Sequence, residues 1–280
     1  MKPRVGAIRY LNALPLVDGL DRDPALGEVR FEVPSFLAQD LRSRDLDIAL
    51  VPQVEACRAS DYRIAAGLCI ACRGAVESIL LFRSTPWSEI ETIGVDLSSN
   101  SSVELLQVLF HRRLGRLPRC VPITPTLAPL RRRGQGGPRL DAVLLIGDRA
   151  LANDRGEFER DDLGEIWWHE THLPFVFAVW LGRGDRGAAA LPSIRRAARN
   201  GLAHRQRLVE HFCREQPGIL EPDRALRYVT DVIHYELGAE EIESMRIFHQ
   251  LRGVAGLTPQ VTWEPEFFVE PAGAMAEEFP

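Results

Sequence analysis

The sequence has no long hydrophobic run and no excess of positive charge. A membrane-spanning helix needs about 20 predominantly apolar residues in succession, and no segment of the 280 residues approaches that. Lys and Arg number 34 against 39 Asp and Glu, so the net charge at pH 7 is -5. Nucleic-acid-binding proteins usually carry a basic patch or a basic net charge. The composition therefore predicts neither a membrane protein nor a nucleic-acid-binding protein.

Cysteine is also scarce, and the N-terminal segment does not resemble a secretion signal. The five cysteines are odd in number and lack the spacing of a disulfide framework, so free thiols in a reducing compartment are expected. Arg9, Asn12 and Asp18 interrupt the apolar stretch that follows Lys2, whereas a signal peptide has a continuous apolar core. We therefore expect a cytoplasmic protein.

The chain does contain an alternation of strand-like and helix-like segments. A strand is predicted at about residues 4 to 9, with a helix from Pro15. The pattern repeats with the strand "VRFEV", a helix starting at Pro34 and Ser35, and the buried strand "DIALV". Strands that alternate with helices favour an α/β fold.

The same pattern starts again near residue 84, which indicates a second lobe. We predict that lobe two covers residues 86–176, and that lobe one is discontinuous, with residues 1–85 and 177–280. The run "LPFVFAVWL" is interpreted as a strand that returns to lobe one, and the chain beyond Ala188 as helices. The predicted fold has two α/β lobes, each a mixed sheet flanked by helices.

Polar turns recur after the predicted strands of both lobes. In open α/β sheets, ligands bind at the carboxyl edge of the strands, so turns from two facing lobes would meet in one cleft. The turn residues that we predict to contact a ligand are Tyr10, Leu11, Asn12, Ser35, Pro52, Gly147 and Asp148.

The segment "DLSSNSSVELL" offers several hydroxyl groups immediately before a predicted helix. Free backbone N–H groups and a partial positive charge at a helix start suit a carboxylate or phosphate, which predicts an anion site at Ser99, Asn100, Ser101 and Ser102. The alternative is N-capping by Ser101 or Ser102, which needs only one of these side chains. Asn12 has a similar alternative, because Asn after a strand often caps a helix or adopts a left-handed turn.

Two short motifs raise the question of a metal site. Cys69 and Cys72 form a C-x-x-C, and His169 and His172 are the only candidate second pair. The histidines are far away in sequence, and Cys69 lies within a strand-like apolar run, so no metal site is predicted.

Six segments in order resemble the chorismate dehydratase family of the futalosine route to menaquinone. They are "VGAIRYLNALPL", "LRSRDLDIALVP", "RGAVESILLF", "SSNSSVELL", "AVLLIGDRAL" and "LPFVFAVW". The resemblance implies a fold like the type II periplasmic solute-binding proteins, with the substrate between the lobes. It also implies cofactor-free dehydration of the dianion chorismate to 3-[(1-carboxyvinyl)oxy]benzoate.

The resemblance further implies roles for individual residues. Asn12 would hold the reacting edge of the substrate, and Tyr10 and Phe175 could sandwich its ring, with core packing as the alternative for Phe175. Ser78 and the serine-rich helix start would stabilise developing negative charge, while a substrate carboxylate could accept the proton. Asp148 and Glu55 are the acidic candidates, with binding or structure favoured over catalysis for Asp148.

Two departures and two rival functions accompany the resemblance. Glu170 and His172 stand where family members often have a tryptophan-glycine pairing before "LPFVFAVW". Asn100 stands where family members often have a basic residue, for which Arg9 or Arg73 could compensate. The rivals are the sister enzyme 1,4-dihydroxy-6-naphthoate synthase and a non-catalytic solute-binding protein for small anions. We expect a monomer or a homodimer.

Overall fold

The computed structural model describes residues 1–96, 100–124, 126–127, 130, 140–153, 156 and 158–269. The predicted site residue Ser99 lies outside these residues. No helix in the described part of the chain has the length and apolar character that crossing a membrane would require.

Eleven strands form two mixed sheets in the described part of the chain. In chain order they are β1 Arg4–Ala7, β2 Glu28–Phe31, β3 Ile48–Pro52, β4 Arg63–Cys72, β5 Ile79–Arg83, β6 Thr92–Val95, β7 Arg119–Pro122, β8 Ala142–Ile146, β9 Glu159–Asp162, β10 Phe175–Gly182 and β11 Ile233–His234. The first sheet has the order β11-β4-β10-β3-β1-β2, and the second has the order β7-β6-β8-β5-β9. The predicted α/β class with mixed sheets is confirmed.

Strand β10 lies in the middle of the first sheet although it comes late in the sequence. It pairs antiparallel with β3, through Val179 and Val51, and antiparallel with β4. The first sheet is therefore built from chain segments on both sides of the second. Strand β5 pairs with β8 and β9, so a boundary at residue 85 would place one strand of the second sheet in lobe one. The division into domains stays a prediction.

Ten α-helices flank these sheets in the described residues. They are α1 Leu14–Val17, α2 Pro34–Ser43, α3 Asn100–Leu114, α4 Asp148–Ala152, α5 Leu163–Thr171, α6 Gly184–Ala189, α7 Leu191–Ala203, α8 Arg205–Glu215, α9 Pro222–Arg227 and α10 Ala239–Val254. The predicted helix starts at Pro15 and Pro34 both fall in the first turn of a helix, where proline needs no N–H partner.

The sequence pattern suggested that the C-terminal region is helical throughout, but the structure shows that it is not. Helix α9 is followed by a π-helix at Tyr228–Val232 and then by β11. Ile233 and His234 pair with Cys72 and Ala71 at the edge of the first sheet. This pairing is far from local in sequence, so helical periodicity could not reveal it.

Helix α1 packs closely against α7 at a glycine. An added Cβ at Gly201 would lie 2.2 Å from the backbone oxygen of Pro15, a distance at which one of the two helices has to move. The glycine therefore lets α7 support the helix that follows the Tyr10–Asn12 turn.

We expect Gly201→Ala to lower the free energy of unfolding by about 1–3 kcal/mol, because overpacking a closely packed contact forces the backbone to shift. Urea denaturation would measure the loss. Gly156→Ala is the control, since an added Cβ there meets no heavy atom within 4 Å in the described residues, its chain neighbours aside. Equal stability of the two variants would contradict the role of this contact.

Candidate active site

The carboxyl ends of β1, β3 and β8 meet the beginnings of β5 and β10 around one small inner cavity. Its volume is about 50 Å³. The lining residues come from both sheets and are Ile8, Tyr10, Asn12, Pro34, Pro52, Ile70, Ser78, Ile79, Ser102, Ile146, Gly147, Phe177 and Ala178. Six of the predicted site residues, Tyr10, Asn12, Pro52, Ser78, Ser102 and Gly147, are thus brought together.

Asn12 lies in the turn between β1 and α1 and does not cap the helix. The N-cap residue of α1 is Ala13, with no capping side chain, and Tyr10 O accepts from Ala13 N at 2.9 Å. Asn12 also has no positive φ, so neither alternative use of this asparagine applies. Its carboxamide lines the inner cavity and makes no hydrogen bond to any residue in the described ranges. The side chain is available to a ligand.

Ser78 is buried beneath the cavity and is held by contacts on several sides. Its hydroxyl accepts a hydrogen bond from the Tyr228 hydroxyl at 2.8 Å, and its backbone oxygen accepts from Gly147 N at 2.8 Å. The preceding residue, Glu77, has a left-handed φ of 60°, which is costly for a residue with a side chain. Asp162 accepts from Glu77 N at 2.7 Å and stabilises this turn. Ser78 therefore has a fixed position.

The serine-rich segment places one hydroxyl in the cavity wall. Helix α3 begins at Asn100, so Ser101 and Ser102 lie within its first turn and neither is the N-cap. Ser102 lines the inner cavity. Ser101 is fully buried, and its hydroxyl has no hydrogen-bond partner among the described residues. The capping interpretation of these two serines was wrong.

Glu55 does not line the cavity and makes structural contacts instead. Its side chain is fully buried and is bound by Arg42 at 2.6 Å and Arg58 at 3.1 Å. Asn100 Nδ2 also donates to Glu55 Oε1, at 3.4 Å. Both oxygens of this carboxylate are thus engaged by arginines, and the side chain connects the start of α3 to the segment that follows β3.

Asp148, the first residue of α4, reaches across to the Asn12 turn. Its Oδ1 accepts from Leu11 N at 3.3 Å. Burial raises the pKa of this carboxyl to about 6, and the hydrogen bond from Leu11 partly opposes the rise. The Leu11 side chain itself is fully buried, so the predicted contribution of Leu11 is made by its backbone.

Besides Leu11, Asn100 and Ser101, the predicted contacts Phe175 and Ser35 line neither the inner cavity nor the larger one that adjoins it. Phe175 is fully buried and packs at 5.2 Å from Trp167 and 4.9 Å from Phe248, measured between ring centroids. It belongs to the core, and Phe177 supplies the aromatic wall instead. Ser35 lies one residue beyond Pro34, which lines the cavity in its place.

A larger outer cavity adjoins the inner one, because Tyr10 and Ile146 line both. Its volume is about 640 Å³, within the range of roughly 300–1,000 Å³ for small-molecule sites. Its lining includes Arg9, Phe31, Glu32, Asp96, Asp148, Arg149 and Gln216. The inner cavity is too small for such a ligand alone, so a ligand that reaches Asn12 has to occupy part of the outer cavity.

The sequence matches a known protein family over most of its length. The model of the menaquinone biosynthesis family VitK2_biosynth matches residues 3–252. The chain belongs to this family. A protein from Thermus thermophilus named chorismate dehydratase is 31% identical over 235 residues, which cover 75% of this chain and 82% of that protein. A second protein of that name, from Campylobacter jejuni, is 29% identical over 182 residues, or 62% and 64% of the two chains.

Solved structures place the family member among the periplasmic-binding-protein-like folds. The alkanesulfonate-binding protein SsuA from Xanthomonas axonopodis pv. citri, bound to MOPS, superposes with a TM-score of 0.64 and 15% identity. The superposition covers 93% of this chain and 95% of that one. At this identity the likeness shows the fold alone, and the predicted fold is confirmed.

Of the two arginines considered as replacements for the family's basic residue, one lies near the site. Arg9 lines the outer cavity and stacks over the Phe31 ring at 4.0 Å. Arg9 also pairs with Asp21 at 3.5 Å. Arg73 pairs with Glu240 at 2.9 Å and Glu241 at 3.1 Å and lines neither cavity. Arg9 is therefore the better-placed cation for an anionic ligand.

The C-x-x-C cysteines of this family member make structural contacts. The thiol of Cys69 donates to Glu236 O and that of Cys72 to Gly74 O, both at 3.2 Å. Burial raises the pKa of both thiols well above the usual value, which suppresses the reactive thiolate. In the described ranges no group of three or more His, Cys, Asp and Glu could hold a metal ion.

The family member also has a buried ion pair that the sequence did not indicate. Arg252 on α10 is 4% exposed and pairs with Glu104 on α3. Burial would lower the pKa of Arg252, but the charge and hydrogen bond of Glu104 outweigh it and raise the pKa. His249 Nδ1 lies 3.2 Å from Arg252 Nη1, and burial together with the Arg252 charge lowers the pKa of His249 to about 4. The pair joins the first-sheet side to the helix that carries Ser102.

Proposed function

We propose that this chain is a chorismate dehydratase, a hydro-lyase that makes 3-[(1-carboxyvinyl)oxy]benzoate and water in menaquinone biosynthesis. The family match and the two relatives of that name support the assignment. The observation that carries it is that Asn12 lines a cavity formed by residues of both sheets, and that its carboxamide has no hydrogen-bond partner among the described residues. The cytoplasmic location and the monomer or homodimer stay predictions.

The reaction needs little from the protein beyond orientation and charge stabilisation. Loss of the ring proton at the carbon that bears the enolpyruvyl ether, and of the neighbouring hydroxyl, makes the ring aromatic. The proton is vinylogous to the ring carboxylate, so negative charge moves onto that carboxylate as the C–H bond breaks. Fixed hydrogen-bond donors near that charge lower the barrier.

The described residues supply such donors without a cofactor. Asn12 is proposed to hold the leaving hydroxyl or the enolpyruvyl group, because its amide is neutral and cannot act as a base near pH 7. Ser102, Ser78 and the start of α3 are proposed to stabilise the carboxylate, since a helix N-terminus carries about half a positive charge. A carboxylate of the substrate is then the proposed proton acceptor.

Incubation of the purified protein with chorismate tests the assignment. We expect the absorbance of an aromatic ether to appear, and the product to have the mass of chorismate minus one water. Treatment with a chelator should leave the rate unchanged. Chorismate that binds but persists would indicate a solute-binding protein, and absence of both binding and turnover would favour the sister synthase.

A further inference from the structure

Asp148 has an unusual position for an acid in a site for a dianion. It lines the outer cavity, and one of its oxygens, Oδ1, accepts a single hydrogen bond from Leu11 N. The other oxygen, Oδ2, has no hydrogen bond within the described ranges, and no Lys, Arg or His there forms an ion pair with this carboxyl. The side chain is largely buried. Half of the carboxyl is therefore open toward a ligand.

The surroundings do not compensate the charge of Asp148. The ionisable groups that share the cavity are Arg9, Tyr10, Glu32, Asp96 and Arg149. On the side of the first sheet, Tyr228 is fully buried, and the charge of Asp148 contributes to the raised pKa of its hydroxyl. The lining thus holds two arginines and, besides Asp148, two further acids. Arg9 pairs with Asp21 at 3.5 Å, and neither arginine pairs with Asp148 in the described part of the chain.

A dianion that enters this cavity brings negative charge close to the carboxyl and displaces water from it. Both effects disfavour the ionised form of an acid. We propose that Asp148 takes up one proton from solvent when the dianionic substrate binds, and that it then donates a hydrogen bond from Oδ2 to a substrate oxygen. This inference rests on the proposed function, because it assumes a dianionic ligand. The proton returns to solvent when the product leaves, so the cycle is balanced.

The pKa of about 6 in the free protein fixes the direction of the pH dependence. Binding raises that pKa further, so the ligand binds more tightly as the pH falls from 8 toward 6. Between the two pKa values, the affinity changes by up to about tenfold per pH unit. Below the free pKa the carboxyl is already protonated, and the dependence disappears.

Isothermal titration with the product 3-[(1-carboxyvinyl)oxy]benzoate tests the proposal, because hydration of the aromatic product does not compete. Titrations at pH 7 in two buffers of different ionisation enthalpy give the number of protons taken up. We expect about 0.5–0.9 protons per molecule bound, since a group with a pKa near 6 is about 90% ionised at pH 7. Asp148→Asn should take up none and should bind with an affinity independent of pH.

Asp185→Asn is the control, because Asp185 is exposed and lines neither cavity; its proton uptake should equal that of the wild type. Uptake that persists in Asp148→Asn, or wild-type uptake near zero at pH 7, would overturn the proposal. A turnover assay with chorismate on the same preparation separates the two claims. Turnover without proton uptake would contradict the role of Asp148 alone. Absence of both turnover and product binding would contradict the proposed function as well.

Discussion

Asn12→Ala is expected to lower kcat for chorismate by about 10²–10³-fold, the usual loss when one preorganised hydrogen-bond donor is removed from a transition-state site. Its carboxamide has no partner among the described residues, so the substitution should leave the melting temperature nearly unchanged. Steady-state kinetics at pH 7 and a thermal melt of the same preparation would measure both effects.

Asn200→Ala provides the control for this substitution. The Asn200 amide donates to Asp18 at 2.6 Å on the protein surface, away from both cavities, so activity should match that of the wild type. If Asn12→Ala kept the wild-type kcat, the assignment of Asn12 would be wrong, whatever the outcome for the reaction itself.

Glu104→Ala should produce the largest loss of stability. The variant leaves the Arg252 guanidinium in a buried position without its carboxylate, and breaking a buried ion pair in this way costs about 3–5 kcal/mol. For a chain of this size we expect the melting temperature to fall by roughly 10 °C. Differential scanning calorimetry would measure it. Neutral His249 cannot replace the lost negative charge.

Two further variants test whether the loss of stability comes from the burial of an unpaired charge or from the loss of any ion pair. Glu243 pairs with Arg246 at 3.2 Å with both side chains exposed, and Glu243→Ala should cost little, because exposed pairs contribute weakly. The double variant Glu104→Ala with Arg252→Met should recover part of the lost stability, since no unpaired charge remains. A double variant less stable than Glu104→Ala alone would argue that the packing of Arg252, and not its charge, decides the effect.

The sequence was most informative where strands run parallel. β1 runs parallel to β3 in the first sheet, and β8 runs parallel to β6 in the second. The carboxyl ends of β1 and β8 both reach the cavity, because ligands bind at the carboxyl edge of such sheets and the two edges face each other. Asn12 and Gly147 could therefore be predicted from position alone. The prediction missed Phe177 and Ala178, which enter from the beginning of β10. Since β10 runs antiparallel to β3, its first residues lie at the edge where β3 ends. An apolar run in the sequence does not show in which direction the strand crosses the sheet.

Other features depend on contacts between distant segments. The hydrogen bond of Tyr228 to Ser78 joins residues 150 positions apart, and the pair of Arg252 with Glu104 joins residues 148 positions apart. Local periodicity predicts an element and its buried face, but it does not show which element lies opposite. For the same reason Phe175, an aromatic residue at the start of a strand, could not be assigned between the core and the site.

The central place of β10 has a consequence for the order in which the chain folds during synthesis. All strands of the second sheet have been made once residue 162 is complete, whereas β3 and β4 stay separated until residues 175–182 arrive between them. The partners Val51 and Val179 are 128 positions apart (179 minus 51). At about 5–20 residues per second, the ribosome needs several seconds or more to add that segment. We therefore expect the second sheet to close first, while β1, β2 and β3, which lie beside the Asn12 turn, are joined to β4 only when β10 arrives.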